Sequence, residues 1–163
     1  TGLEVLESIE TLALRSGLSV SMGELQVQEV LADEDHAALL NVPAGTKLTR
    51  VLRVIYTNNR PIAFLLDTLP MDVLAASEIQ TGFTGSVLDL LMRRGKPKLT
   101  QSRTEINAIG ATSEVARALQ LQRDDVLLHF AAQLYSETGR VVDYSISYFL
   151  PGYFRFHVVR RVG

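Results

Sequence analysis

The sequence predicts an α+β domain built on a mainly antiparallel sheet with flanking helices, and two observations lead to that prediction. First, residues 37–63 and 116–142 align without a gap at a constant offset of 79. Second, each copy reads as a short helix, a turn and a two-stranded hairpin with turn-forming residues at its centre. Because one copy cannot bury its own apolar face, we expect both copies of this helix-hairpin duplication to share one sheet.

The composition limits the classes of function. The chain has 163 residues, of which 47% are hydrophobic and 21% charged, so we expect a single domain over residues 1–163 with a substantial core. A formal net charge of −2 argues against this chain gripping a nucleic-acid backbone by itself. With no cysteine there is neither a disulfide framework nor a thiolate metal site, which is compatible with a reducing cytoplasm. No apolar run is long enough to span a bilayer.

The first half predicts two helices and three extended segments. Five residues recur at helical spacing before Gly17: Leu3, Leu6, Ile9, Leu12 and Ala13. Residues 18–31 are mostly extended in pattern. Asp33 is a good N-cap for a helix over 34–41. Strands are expected at about 46–57 and 61–69, joined by Asn58-Asn59, which tolerate the backbone geometry of a tight hairpin.

The second half begins with a short helix near 71–77 and a loop over 81–85. Ser86 is then expected to cap a helix that Gly95 and Pro97 end. A strand follows over 98–108, and the second helix-hairpin copy runs over 112–150. The alternation of the last residues predicts a final strand from Phe154 to Val162.

Arg53 is the first candidate for a functional side chain. It shares a strand face with Val51 and Ile55, and the repeat places Ala132 opposite it. A guanidinium on such an apolar face needs a partner, because an unpaired buried charge is very costly. The partner is either an internal carboxylate, with Asp67, Asp143 and Glu105 as candidates, or an anionic ligand held by the planar fork.

Two further segments supply weaker candidates. In Thr84-Gly85-Ser86, a glycine precedes a helix N-terminus, where backbone amides can bind an anion, although serine there is usually only a cap. On the last strand of the repeat, alternation places Asp143 on one face with three other residues: Ser145, Ser147 and Phe149. That face either is solvated or lines a pocket.

Enzyme chemistry finds little support. His36, His129 and His157 lie on separate elements, and no spacing typical of a metal site occurs. Nucleophile-elbow, Walker-type and dinucleotide-binding fingerprints are absent as well. We therefore expect neither an enzyme nor a bound metal or cofactor.

In order and spacing, the motifs resemble the UTRA domain, the effector-sensing half of the HutC-type subfamily of GntR bacterial transcription regulators. The resemblance covers essentially the whole chain. It is carried by these segments: Leu6-Glu7-Ser8-Ile9, helix 34–41, Arg53, Asn59-Arg60-Pro61-Ile62, Leu69-Pro70, Ser86-Val87-Leu88, Glu105-Ile106, Ala116 with Leu119, Gly139 and Tyr153-Phe154-Arg155-Phe156.

The resemblance implies a chorismate-lyase-like fold that binds a small metabolite and so alters the DNA affinity of a full-length cytoplasmic homodimer. In such regulators a winged helix-turn-helix domain precedes the effector domain. Since this chain opens at Thr1 rather than Met, we expect it to lack that DNA-binding half. The competing hypotheses are a small lyase or isomerase on the related fold, and a dimerising domain without an effector.

Departures from the family pattern bear on the effector. Four positions that are often polar in the family are apolar here: Ile55, Leu65, Leu88 and Phe149. Arg53, Ser86 and Asp143 remain polar. One charge-assisted contact beside an apolar lining suits a carboxylate with an apolar body better than a phosphosugar, although a pocket that has lost its ligand fits equally. The expected ligand-binding set is Arg53, Ile55, Leu65, Thr84, Gly85, Ser86, Leu88, Asp143 and Phe149.

Overall fold

The computed structural model describes residues 3, 5–79, 83 and 85–163. Short helices alternate with long strands along these residues. In chain order they are α1 (Ile9–Arg15), β1 (Ser21–Leu31), α2 (Glu34–Leu40), β2 (Lys47–Thr57), β3 (Arg60–Pro70), α3 (Ala76–Ile79), α4 (Val87–Arg94), β4 (Leu99–Gly110), α5 (Ser113–Leu119), β5 (Val126–Ser136) and β6 (Val141–Phe149).

The strands form one antiparallel sheet in the order β1-β2-β3-β6-β5-β4. Each half of the sheet is a three-stranded meander, and the halves meet where β3 pairs with β6. At this seam Ala63 lies opposite Phe149 and Thr68 opposite Tyr144. The α+β class with a mainly antiparallel sheet and flanking helices is therefore confirmed.

The internal duplication is visible in the elements themselves. Helices α2 and α5, and strands β2 and β5, are related by the offset of 79 over their whole lengths. The caps repeat too. Asp33 and Thr112 each accept a hydrogen bond from the backbone N–H three residues on, and both helices end at a residue with a positive φ. Strands β1 and β4 extend the repeat beyond the segments detected in the sequence.

The ungapped alignment is wrong after the hairpin turn. In the first hairpin Thr57 pairs with Arg60 across the two residues Asn58-Asn59, both at positive φ. The second hairpin has a loop one residue longer, closed by a hydrogen bond from the Ser136 N–H to the Arg140 carbonyl. The structural offset is therefore 80 along β3 and β6, so that the counterpart of Ile62 is Val142 and not Val141.

The two faces of the sheet carry different helices. Helices α2 and α5 cover one face, where Leu40 packs near Leu48, and Leu119 packs near Leu127. On the other face α1 and α4 flank the centre of the sheet, with Ala13 in a cluster with Ile55, and Leu91 in a cluster with Val51. That second face also holds the cavity described below.

Three predicted elements differ from the structure. The first helix begins only at Ile9, because the Ser8 side chain caps it. The helix predicted near 71–77 is a turn over 71–73, and α3 starts at Ala76. The final strand from Phe154 to Val162 does not form. Phe154 makes an isolated bridge to Pro151, and most of 155–163 is exposed. Alternating apolar residues predict a strand only where a neighbouring strand is available to pair with it.

Among the described residues, no helix is both long and apolar enough to cross a membrane.

Candidate functional site

A cavity of about 510 Å³ lies against the middle of the sheet, between the strands and α1. Residues from both repeats contribute to it: β2 and β3 from the first, β4, β5 and β6 from the second. Helix α1 and the segment before it, from Val5 to Leu12, form the outer wall, and Ser86 and Leu88 form one end. A cavity of this size suits a small organic molecule.

Arg53 lies on the floor of the cavity and is 5% exposed. Its Nη1 donates to Asp67 Oδ2 on the neighbouring strand at 2.6 Å, and its Nε donates to the Gly85 carbonyl oxygen at 2.5 Å. Of the three partners considered from the sequence, Asp67 is the one that pairs with it. Glu105 instead lies 2.9 Å from Arg103. The internal salt bridge therefore exists, and it lies inside the cavity.

Asp143 is the second buried carboxyl of the floor and is 5% exposed. Its Oδ1 has no hydrogen-bond partner among the described residues. Burial raises the pKa of the Asp143 carboxyl well above its usual range. Asp67, close enough to share a proton with it, raises that pKa further, whereas Arg53 lowers it. Two carboxyls and one guanidinium thus form a compact buried cluster.

Glu10, on α1, faces the same cavity from the outer wall. Its Oε1 is buried and has no hydrogen-bond partner among the described residues. Burial raises the pKa of Glu10, Arg53 lowers it, and the carboxylates of Asp89 and Asp67 raise it further. Asp89, in the first turn of α4, is thus an acidic neighbour of Glu10.

The remaining lining is largely apolar and aromatic. Phe130, Phe149 and Phe156 form a cluster with ring centroids 4.6 to 5.1 Å apart. Leu65 and Leu88 add aliphatic surface. Ser145 and Ser147 follow Asp143 along β6 and also line the cavity, so this face of the strand lines a pocket rather than solvent.

The structure brings most of the predicted site residues together. Arg53, Leu65, Ser86, Leu88, Asp143 and Phe149 all line the cavity. Ile55 does not; it is 1% exposed and packs in the core with Ala13 and Ile62. Gly85 contributes its carbonyl to Arg53, with a φ of +104° that favours glycine there. Thr84 lies outside the described residues.

The predicted anion-binding role of Ser86 is not favoured by its contacts. The Ser86 hydroxyl accepts a hydrogen bond from the Asp89 N–H at 3.0 Å, and its carbonyl accepts one from Leu90. Ser86 therefore acts as an ordinary N-cap of α4. Its side chain nevertheless lines the end of the cavity.

Sequence reasoning missed Glu10, Phe130 and Phe156. Glu10 had a detectable signal, because it lies four residues after Leu6 and three before Ala13, on the apolar stripe of the first helix. The aromatic cluster had none, since Phe156 comes from a segment that the structure shows to be irregular.

A sequence model of the UTRA domain family matches residues 15–155, so the chain belongs to that family. No curated protein matches the chain at a significant level.

Solved structures agree with this assignment. The chain is similar to PhnF from Mycobacterium smegmatis, with a TM-score of 0.86 and 18% identity over 98% of this chain and 71% of that one. It is similar to a GntR-family transcriptional regulator from Bacillus cereus, with a TM-score of 0.77 and 21% identity over 87% of this chain and 99% of that one. A candidate transcriptional regulator from Streptomyces coelicolor is 28% identical, with a TM-score of 0.73 over 89% of this chain and 100% of that one.

The family, the fold and the cavity together define the class of this protein. It is a UTRA domain, and it shares its fold with the solved GntR-family regulators to which it is similar. No group of three or more His, Asp or Glu in the described part of the chain is placed to hold a metal ion.

Proposed function

We propose that this domain senses a small effector for a cytoplasmic, HutC-type regulator, and that effector binding changes the DNA affinity of the full-length homodimer. The observation that carries the proposal is the position of α1. This helix and the residues before it form the outer wall of the cavity, so a DNA-binding domain placed ahead of them would connect directly to the site.

The outer wall contacts the rest of the domain at both ends. The Leu3 N–H donates to the His157 carbonyl oxygen, and Ala13 and Ile9 pack on the aromatic cluster. A ligand that fills the space beneath α1 would therefore change the contacts that position the segment leading toward the DNA-binding half. Such a ligand can shift the regulator only to the extent that it binds one arrangement of this segment better than another.

The proposed ligand-binding residues are those that line the cavity, together with the loop that contacts Arg53: Arg53, Leu65, Thr84, Gly85, Ser86, Leu88, Asp143 and Phe149, with Glu10, Phe130 and Phe156 added by the structure. The apolar lining supports the expected apolar body of the effector. The carboxylate head group stays a prediction, and one feature opposes it: Arg53 is already bonded to Asp67 and to the Gly85 carbonyl.

A thermal-shift screen of metabolites against this chain provides the first test, because a ligand that binds the native state raises its apparent stability by mass action. The hits are then added to the full-length protein encoded by the gene, and its affinity for DNA from its own promoter region is measured. We expect at least a tenfold change in that affinity, equivalent to about 1.4 kcal/mol.

Two results would contradict the proposal. A ligand that stabilises the domain and leaves the affinity for promoter DNA unchanged would separate binding from regulation. A full-length dimer that binds its promoter but responds to none of the ligands would favour the purely dimerising hypothesis.

A further inference from the structure

Carboxyl groups outnumber guanidinium groups around Arg53. Three carboxyl groups, those of Asp67, Asp143 and Glu10, act on this one guanidinium or on its partner. Only Asp67 is paired with it directly. An incoming anion would meet an Arg53 whose charge is already neutralised by Asp67.

Asp143 is the buried acid whose contacts indicate the chemistry of the ligand most directly. Its side chain lies on the cavity floor, and the residue is only 5% exposed. Its Oδ1 lacks a hydrogen-bond partner in the described part of the chain. Buried carboxyl oxygens nearly always have a donor, and an oxygen without one is a position that a ligand can satisfy. What this oxygen lacks is a hydrogen-bond donor.

Glu10 presents a second unsatisfied carboxyl oxygen from the opposite wall. This oxygen, Glu10 Oε1, lies 3.4 Å from where a β-carbon on Gly85 would be, close to the loop whose carbonyl accepts from Arg53. The acids come from separate elements, α1 and β6, and face one space. This arrangement is suited to a ligand that donates hydrogen bonds and carries positive charge.

We propose that the effector carries a protonated amine that binds Asp143, with Glu10 as the second acid, and an apolar or aromatic body that packs on the Phe130, Phe149 and Phe156 cluster. This inference rests on the proposed function, because it names the chemistry of the ligand that the domain would sense. An ammonium is favoured over a neutral hydroxyl since its charge stabilises the ionised carboxylate of Asp143, and a cation also interacts favourably with aromatic faces.

The binding of an ammonium is coupled to the protonation of the site. Asp143 faces Asp67 and Arg53 from the neighbouring strands, and Glu10 from α1 faces Arg53 as well as Asp67 and Asp89. An Asp143 that holds a proton in the free protein would release it when an ammonium binds. We therefore expect proton release that diminishes as the pH rises, measured as a dependence of the binding heat on the ionisation enthalpy of the buffer.

The test is a calorimetric titration with matched triplets of ligands, for example 4-phenylbutylamine, 4-phenylbutanoate and 4-phenylbutanol, together with shorter and longer chains and indole bodies. We expect the amine of the best-fitting triplet to bind at least tenfold more tightly than its acid and its alcohol. Asp143→Asn should weaken the amine at least tenfold and strengthen the acid, and Glu10→Gln should act in the same direction by a smaller factor.

Glu29→Gln is the matched control, since Glu29 is an exposed carboxylate of β1 outside the cavity and its replacement changes the net charge by the same amount. It should leave all three affinities unchanged. Thermal denaturation of each variant establishes that it is folded before its affinities are compared.

Acids that bind more tightly than their matched amines, or an Asp143→Asn variant that keeps the amine affinity, would overturn the amine assignment. Failure of every amine to bind would overturn it as well. These failures are separate from a failure of the proposed function. An acid that binds and changes promoter affinity would leave the sensing role intact, whereas an amine that binds without changing promoter affinity would retain the ligand class and contradict the role.

Discussion

The two halves of the sheet share a backbone plan and differ in the chemistry of the face that bounds the cavity. In the first half Arg53 on β2 lies opposite Leu65, and Asp67 is two residues further along β3. In the second half the equivalent positions are Ala132, Ser145 and Ser147. Asp143 in turn corresponds to Ala63 in the first half, so one half supplies the Arg53–Asp67 ion pair and the other a further buried acid.

This difference shows how a duplicated frame can produce an asymmetric site. The repeated features are those that the backbone needs: helix caps, hairpin turns and strand registers. The unrepeated features are the charged side chains and the removal of bulk at Ala132, which leave a space at the seam. Seams between structural units are common places for ligand pockets.

The largest expected effect comes from removing the cation of the first half. Arg53→Ala leaves Asp67 buried without its partner and the Gly85 carbonyl without its donor. Breaking a buried pair in this way costs about 3–5 kcal/mol, so we expect the free energy of unfolding at pH 7 to fall by that amount in a denaturant titration. Arg140→Ala, which breaks the exposed pair with Asp72, is the control and should cost less than about 1 kcal/mol. Equal losses for the two variants would contradict the importance of burial.

Adding an arginine to the second half should remove the asymmetry. Ala132 lines the cavity, so the side chain introduced by Ala132→Arg would occupy it and offer a cation to Asp143. We expect the affinity for any cavity ligand to fall at least a hundredfold, or about 2.7 kcal/mol, in calorimetry. Ala131→Arg is the matched control, because Ala131 lies next to it on the strand and therefore on the opposite face. Ligand binding that survives Ala132→Arg would place the site elsewhere.

Neutralising the acid of the second half should stabilise the free domain. Burial raises the pKa of Asp143 in the folded state, so the folded protein binds more protons than the unfolded chain above the ordinary aspartate pKa. The contribution of Asp143 to the free energy of unfolding therefore falls as the pH rises from about 4. Asp143→Asn removes this loss, because the amide cannot ionise in its buried position, and should add roughly 1–3 kcal/mol at pH 7. The melting temperature should rise by about 2–4 °C per kcal/mol, and the gain should shrink toward pH 4. A variant less stable than the parent at pH 7 would show that Asp143 is ionised and well paired.

The smallest effect distinguishes the two hairpin loops. Gly139 has a φ of +82° in the longer loop, whereas Asn59 has a φ of +63° in the shorter one. Gly139→Ala forces a β-carbon into the left-handed region and should cost about 1 kcal/mol. Asn59→Gly should change stability by only a few tenths of that or raise it slightly, since glycine suits this turn position. Thermal denaturation of the two variants measures both, and a tolerated Gly139→Ala would indicate that the loop can change its conformation.

The sequence predicts the helices, strands and turns better than it predicts the cavity, because these elements depend on local signals. Asn58-Asn59 predicts the turn of the first hairpin, where Thr57 pairs with Arg60, but a bulge between Ile55 and Tyr56 shifts the register by one residue and so brings Asp67 onto the face of Arg53. Alternation along β6 likewise places Asp143 and Phe149 on one face. The elements that were predicted wrongly, such as the strand over 154–162, are those whose formation depends on residues distant in the sequence.

The electrostatic character of the site could not be predicted for the same reason. Glu10 lies close to Gly85, although the two residues are 75 positions apart in the sequence. The Phe130 ring contacts that of Phe156, which belongs to a segment without regular structure. The expectation of an acid effector counted Arg53 as available to a ligand. In the structure its Nε and Nη1 are engaged by groups of the protein, and two further carboxyls face the same space.

The central claim is that the effector binds in the cavity at the seam between unlike halves. Its most direct test is a titration of the ¹⁵N-labelled domain with the best ligand from the thermal-shift screen, followed by amide chemical shifts. We expect the largest changes at Arg53, Leu65, Asp143 and Ser145 on the strands, at α1, and over 85–88, with small changes at α2 and α5 on the opposite face. Changes centred on that opposite face, for example around Gln28, Arg50 and Glu114, would contradict the account.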